Sequence, residues 1–183
     1  MAKSKLTIIV GSLRKDSINL KLAKTIAELG LDLFESNFAQ IDDLPLFNQD
    51  LETDFPASAT RLKTVLNAAD GILIVTPEYN RSMPGVLKNA IDWASRPYGT
   101  NSFAKKPVGI MGTSMGAIGT ACSQHTLRPV LNYLDVILMG QPEVYFQYKK
   151  ETFNTEETKK FLKNYVDQLA AWVERHRSDS TLG

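Results

Sequence analysis

Residues Gly11-Ser-Leu-Arg-Lys-Asp-Ser-Ile-Asn19 gather three short hydrogen-bonding side chains, Ser12, Ser17 and Asn19, around one guanidinium, Arg14, with Leu13 between them. The segment follows an apolar run and opens a helix-period stretch. A helix N-terminus offers unpaired backbone N–H groups and a partial positive charge, and so attracts phosphate. Arg14 adds a planar fork suited to phosphate oxygens. The segment is not a Walker A loop, because the second glycine and the Gly-Lys-Ser/Thr end are missing, and it is not Gly-x-Gly-x-x-Gly. An ordinary strand-to-helix loop with Asp16 or Ser17 as helix cap fits the same spacing.

A second group of residues, Thr76-Pro-Glu-Tyr-Asn-Arg-Ser-Met-Pro-Gly-Val86, directly follows the apolar run Gly71–Val75. Pro77 and Pro84 stiffen it, and the proline after Thr76 pushes that residue towards an extended form. A rigid loop can aim several backbone N–H groups at a fixed flat ligand. A flavin ring, with carbonyls and nitrogens along one edge, is such a ligand. Glu78 is a candidate general acid or base without an evident partner, which favours a structural role. Tyr79 either caps a ring edge or packs the loop. A third segment, Gly112-Thr-Ser-Met-Gly116, is expected to follow the fourth strand. Its terminal glycines let backbone approach a ligand closely.

Other reactive side chains carry less. Cys122, the sole cysteine, is expected in a helix as a small buried residue. One cysteine cannot form an internal disulfide, which fits a reducing compartment. With two histidines in the chain, a zinc site built from Cys and His is not credible. His125 reads as a helix-surface or interface residue, and Trp93 as packing or interface.

The elements that must position these loops follow from periodicity. Leu6–Val10, Gly71–Val75, Val108–Met111 and Val136–Met139 are short apolar runs that read as buried strands, with Leu31–Glu35 as a weaker fifth. Between them, residues 17–29, 61–69, 84–95 and 117–133 carry apolar side chains at helical spacing, with a possible break near Pro129. A last helix covers 161–173. Strict alternation of strand and helix implies a parallel sheet covered on both faces. Right-handed crossovers then predict a doubly wound, three-layer sandwich, and five strands suggest the order 2-1-3-4-5. That order sets the first and third strands side by side and brings the first two loops together. No linker divides the chain, so residues 1–183 are expected to form one domain.

Composition agrees and excludes other classes. The apolar fraction is 43% and the charged fraction 22%, which is normal for a soluble globular chain. A net charge of +1 supplies no field for nucleic acid or an acidic membrane. The apolar run at Leu6 stops after five residues, at Gly11. A secretory signal core needs about 7–15 apolar residues and a membrane span about 20. A cytoplasmic location is therefore expected.

The motifs Gly11-Ser-Leu-Arg-x-x-Ser-x-Asn-x-x-Leu-Ala, Thr-Pro-Glu-Tyr-Asn-x-Ser-x-Pro-Gly-Val-Leu-Lys-Asn-Ala-Ile-Asp-Trp-x-Ser-Arg-Pro and Ser-Met-Gly-x-x-Gly stand here in order. On them the chain resembles the NADPH-dependent FMN reductases, in particular the bacterial quinone and chromate reductase branch, over about residues 5–145. The resemblance implies a flavodoxin-like fold and non-covalent FMN, with NADPH or NADH as electron donor. It implies that Ser12, Leu13, Arg14, Ser17 and Asn19 hold the phosphate end. Pro77, Glu78, Tyr79 and Asn80 would line the isoalloxazine ring, with Ser114, Met115 and Gly116 closing the other side. No side chain is then catalytic, because hydride passes through N5 of the flavin to an acceptor such as a quinone, free flavin or an oxidised metal ion of the chromate type. Homodimers or homotetramers are implied, with the helix at 84–95 involved. Arg81 and Thr120 depart from the family pattern and leave acceptor choice and assembly open. A flavodoxin-like electron carrier without NAD(P)H turnover is the alternative. Such carriers tend to be strongly acidic, unlike this near-neutral chain. A fold relative that has lost its flavin is a second alternative.

Overall fold

The computed structural model of the protein describes residues 3–177. The single-domain expectation for 1–183 also takes in residues 1, 2 and 178–183, which lie outside the described residues. In chain order the elements are β1 (Ser4–Val10), α1 (Ile18–Leu29), β2 (Phe34–Phe38), α2 (Ala57–Asn67), β3 (Gly71–Val75), α3 (Gly85–Ala94), β4 (Pro107–Ser114), α4 (Ala121–Tyr133), β5 (Ile137–Leu138), β6 (Tyr145–Gln147) and α5 (Glu156–His176). The parallel sheet runs β2-β1-β3-β4-β5, the expected order, and β6 pairs with β4 as an addition.

Both faces of the sheet are buried, so its central strands are apolar at consecutive positions. Leu6, Ile8, Leu73, Val75 and Met111 face α1 and α5, where they meet Leu22, Ile26, Leu162, Tyr165, Val166 and Leu169. Ile9, Ile72, Ile74, Val108 and Ile110 face α2, α3 and α4, against Leu62, Leu66, Leu87, Ile91, Leu127 and Leu131. The two-residue period of a strand sorts one run of sequence into two cores. Tyr165 is fully buried against the middle of β4, where its hydroxyl donates to the Ile110 carbonyl at 3.2 Å. Burial pushes its phenol well above the usual tyrosine range.

Several boundaries differ from the sequence reading, among them α2, which starts at Ala57, and α5, which spans Glu156–His176. The second strand starts at Phe34, because Gly30 ends α1 and its carbonyl accepts from the N–H groups of Leu33 and Phe34 in a tight turn. The fourth helix starts at Ala121 because Gly119 has φ +65, which a right-handed helix excludes. Pro129 does not break that helix. It and His125, whose carbonyl loses its partner, are both exposed, so water can take the bond. β4 extends to Ser114, so Gly112, Thr113 and Ser114 belong to a strand and not to a loop. The extension is stabilised by β6, which pairs Tyr145 with Gly112 and Gln147 with Ser114. The edge expected as one strand over 136–139 is therefore split between β5 and β6.

Trp93 is a packing residue. It is fully buried, its Nε1 donates to the Pro45 carbonyl at 2.7 Å, and Phe47 and Phe55 meet it edge-on. It fixes the turn-rich segment before α2 onto α3. No helix among the described residues is long and apolar enough to cross a membrane.

Gly71 lets α5 close on the sheet, since a Cβ there would stand 2.4 Å from a Val173 methyl. Gly71→Ala is expected to lower stability by about 1–3 kcal/mol through overpacking. Combined with Val173→Ala, which empties the contact, the loss should fall short of the sum of the two single losses. Thermal unfolding of the three variants checks this.

Candidate active site

β1, β3 and β4 are neighbours, and their carboxyl ends open onto one cavity of about 380 Å³. Ser12, Arg14, Ser17 and Asn19 line it after β1, Pro77, Glu78 and Tyr79 after β3, and Ser114, Met115 and Gly116 at the end of β4. Leu13 does not; it lines two neighbouring clefts of about 270 and 380 Å³ that share Ser12 and Arg14 with the cavity. Asn80 does not either, and is exposed at the tip of its loop. Ile18 and Thr113 also line the cavity and were missed by the sequence reading. The signals for them were present: Ile18 is the first helical residue after the Ser17 cap, and Thr113 lies inside the Gly112–Gly116 motif.

The first loop ends in a capped helix. Ser17 Oγ accepts from the Leu20 N–H at 3.1 Å, which keeps its own hydrogen free to donate. The N–H groups of Ile18 and Asn19 have no carbonyl partner among the described residues, as expected of a first turn. Arg14 is exposed and has no acidic partner among the described residues. Asn19 is different. Its buried carboxamide accepts from Thr113 N at 3.0 Å and donates to Thr113 O at 2.9 Å. That reciprocal pair joins the start of α1 to the end of β4, so Asn19 shapes the cavity mainly as a strut.

The second loop is a tight hairpin. Tyr79 and Ser82 exchange both backbone hydrogen bonds at 3.0 Å, and the two residues between them, Asn80 (φ 52) and Arg81 (φ 63), are both left-handed. This is the two-residue turn that favours Asn-Gly, and Arg in place of Gly costs about 1–2 kcal/mol. The N–H groups of Glu78, Asn80 and Arg81 have no partner among the described residues. Glu78, which had no evident partner in the sequence, has two. Its Oε2 accepts from Ser123 N at 3.1 Å, and its Oε1 stands 3.5 Å from Arg81 Nη1. Ser123 is 45 residues further along, a separation that only the fold closes.

The third segment holds itself shut. Ser114 Oγ donates to the carbonyl of Gly119 and lies 3.2 Å from that of Gly116. Met115 is left 68% exposed at the rim. Gly112 permits the crossing beneath, since a Cβ there would lie 2.2 Å from the Thr76 carbonyl and 2.3 Å from Thr120 Oγ1. Cys122 is half-buried on α4, more open than expected, and His125 is exposed on the same helix.

The cavity thus has a cationic helix-N-terminal end and a second end walled by Pro77, Glu78 and Tyr79. A family profile described as NADPH-dependent FMN reductase matches residues 4–151. The chain belongs to this family. It is 50% identical over 179 residues to a 2-hydroxy-1,4-benzoquinone reductase of a Burkholderia species, covering 94% of this chain and 98% of the relative. It is 40% identical over 177 residues to a quinone reductase of Pseudomonas putida, covering 93% and 95%. The solved structure of the Paracoccus denitrificans flavoenzyme FerB, an NAD(P)H:(acceptor) oxidoreductase, superposes with a TM-score of 0.92 at 44% identity, covering 94% of this chain and 98% of that one. The protein is an NAD(P)H-dependent flavin oxidoreductase, with FMN as its flavin.

The residues present fit FMN: a guanidinium without an acidic partner among the described residues and unclaimed helix-start N–H groups suit the phosphate, and the end walled by Pro77 and Tyr79 suits a planar ring. Asn19 is the strut that ties the helix start to the end of β4. Asn19→Ala leaves the Thr113 N–H and carbonyl buried without partners, and should cost about 2–4 kcal/mol for two lost bonds. A lower urea midpoint at unchanged slope is the expected signature.

Proposed function

We propose that this chain, acting as one domain, reduces quinones with electrons from NAD(P)H by way of FMN held in the β1–β3–β4 cavity. The observation that carries the reading is the convergence there of a phosphate-type helix start and a rigid, N–H-rich hairpin. The names of the relatives, quinone reductase among them, support a quinone acceptor. Bound FMN supplies the redox chemistry, taking two electrons from NAD(P)H and yielding them to the acceptor.

The protein's part is binding, orientation and electrostatics. Arg14, the Ser17 hydroxyl and the N–H groups of Ile18 and Asn19 hold the phosphate, with Ser12 beside them. The unclaimed N–H groups of the Glu78–Arg81 hairpin face the ring edge and favour negative charge there. Pro77 and Tyr79 wall the ring, and Met115 and Gly116 close the opposite rim. Tyr79 and Met115 give an apolar entrance suited to a planar acceptor. The Ser114 hydroxyl is turned into its own segment and acts by shaping that rim. Leu13 and Asn80 act through the backbone of their loops.

Self-association through α3 belongs to the same reading. An apolar groove of about 540 Å³ lies between α3 and α4, with Tyr98 and Tyr133 about three-quarters exposed beside it. A pair of copies would cover these rings. A cytoplasmic setting accords with the single, half-buried cysteine.

Two measurements test the reading. The purified protein should carry or take up FMN, and NADPH without oxygen should bleach its visible absorption until a quinone restores it. A flavin that NAD(P)H cannot reduce would leave the electron carrier as the better description. Arg14→Ala should weaken FMN by about 1.5–3 kcal/mol, the scale of a charge-assisted hydrogen bond. Unchanged FMN affinity in a titration would remove the phosphate role. Tyr133→Glu should shift the protein to monomers in light scattering.

A further inference from the structure

The hairpin that faces the ring is strained at Asn80 and Arg81, and one pair of backbone bonds between Tyr79 and Ser82 closes it. Something outside the hairpin must hold it in register. That support comes from the first turn of α4. Ser123 is the third residue of this helix, and its N–H has Glu78 Oε2 as its partner at 3.1 Å, with no carbonyl one turn back. The Ser123 hydroxyl donates to the Pro77 carbonyl at 2.9 Å and lies 3.2 Å from Thr76 Oγ1. Further along, Ser82 Oγ lies 3.2 Å from Thr126 Oγ1. The hairpin is therefore stapled to α4 at both ends, and the only charged group in the staple is a carboxylate whose side chain is 10% exposed. A carboxylate at a helix N-terminus meets a favourable dipole, and Arg81 at 3.5 Å partly offsets its charge from the solvent side.

We propose that Glu78 is the positioning residue of this loop: by capping α4 at the Ser123 N–H, its carboxylate fixes the direction in which the Pro77–Arg81 backbone presents its N–H groups to the flavin ring. The proposal rests on the assignment of that loop to the ring of FMN. Glu78 neither gives nor takes a proton in this role. A hydrogen bond from the helix start converts the orientation of α4 into the orientation of the hairpin. Arg81 steadies the carboxylate from outside, and its left-handed backbone is the strained position that the staple maintains.

Amide exchange at Ser123 reads the cap directly, since that N–H has Glu78 as its partner. Glu78→Ala should speed exchange there at least about ten-fold, the factor for one lost charged hydrogen bond. Glu78→Gln, which keeps an acceptor, should restore most of the protection. With FMN bound, Glu78→Ala should lower kcat about ten-fold while the KM for NADPH stays within about three-fold, because orientation and not donor binding is lost. Glu78→Gln should recover kcat but make the flavin midpoint potential more positive, since a negative charge near the ring has gone. Unchanged Ser123 exchange in Glu78→Ala, or a normal kcat in that same variant, would overturn the proposal. If Glu78→Ala does not fold, Glu78→Asp carries the same test, as its shorter carboxylate retreats from Ser123. Failure of the wild-type protein to take up FMN would instead sink the cofactor-site assignment. Normal uptake with an indifferent Glu78→Ala would sink the positioning role alone.

Discussion

A buried carboxamide sets the geometry of the whole carboxyl edge. Asn19 is on the first turn of α1, and Thr113 is near the end of β4, two strand positions away across the sheet. Their two hydrogen bonds, at 3.0 and 2.9 Å, satisfy a strand N–H and carbonyl that would otherwise be buried without partners. Unmade backbone bonds in a dry interior are costly, so the pair is strongly held. It fixes how far the start of α1 stands from the rim formed by Ser114, Met115 and Gly116. With β3 between them, the hairpin at Pro77–Ser82 has one place to go. The cavity follows from that spacing.

Rigidity in the hairpin has a different origin. The strand order puts the end of β3 beside α4, and Ser123 presents both a backbone N–H and a hydroxyl to the loop. Helix dipole, carboxylate and guanidinium lie in series, with a left-handed turn as the strained link. A preorganised array of donors needs no rearrangement when charge develops on a bound ring. The Tyr79 and Met115 side chains are exposed at the rim of the same cavity.

Much of this was legible along the chain. The β1 and β3 runs, the helix-start chemistry at Ser17 and the proline frame at Pro77 and Pro84 are local features, and local physics governs them. Apolar alternation, helix period and capping together pointed to a doubly wound sheet, and the doubly wound topology put the first two loops side by side. What escaped depended on contacts between distant segments. The extension of β4 to Ser114 needs β6 as a partner, and Tyr145–Gln147 has no strand signal of its own strength. The start of β2 was displaced by a turn whose hydrogen bonds close on Gly30. Asn19 looked like a phosphate ligand because an amide beside a helix start suits one, and nothing in the sequence shows that its carboxamide also bonds the Thr113 backbone.

Glu78 marks the boundary most clearly. Its neighbours in sequence gave it a rigid loop and no partner, and on that basis a structural role was the sounder reading. The sequence by itself determined the alternation of elements, the family motifs, the cofactor class and the two loops that frame the cavity, because each is set by residue type and short-range spacing. Only the tertiary structure decided that Glu78 caps α4, that Asn19 braces β4 and that Gly112 lets the strand ends cross. Those roles depend on which atoms meet across 45 and 94 residues of chain, and no local pattern encodes such a meeting.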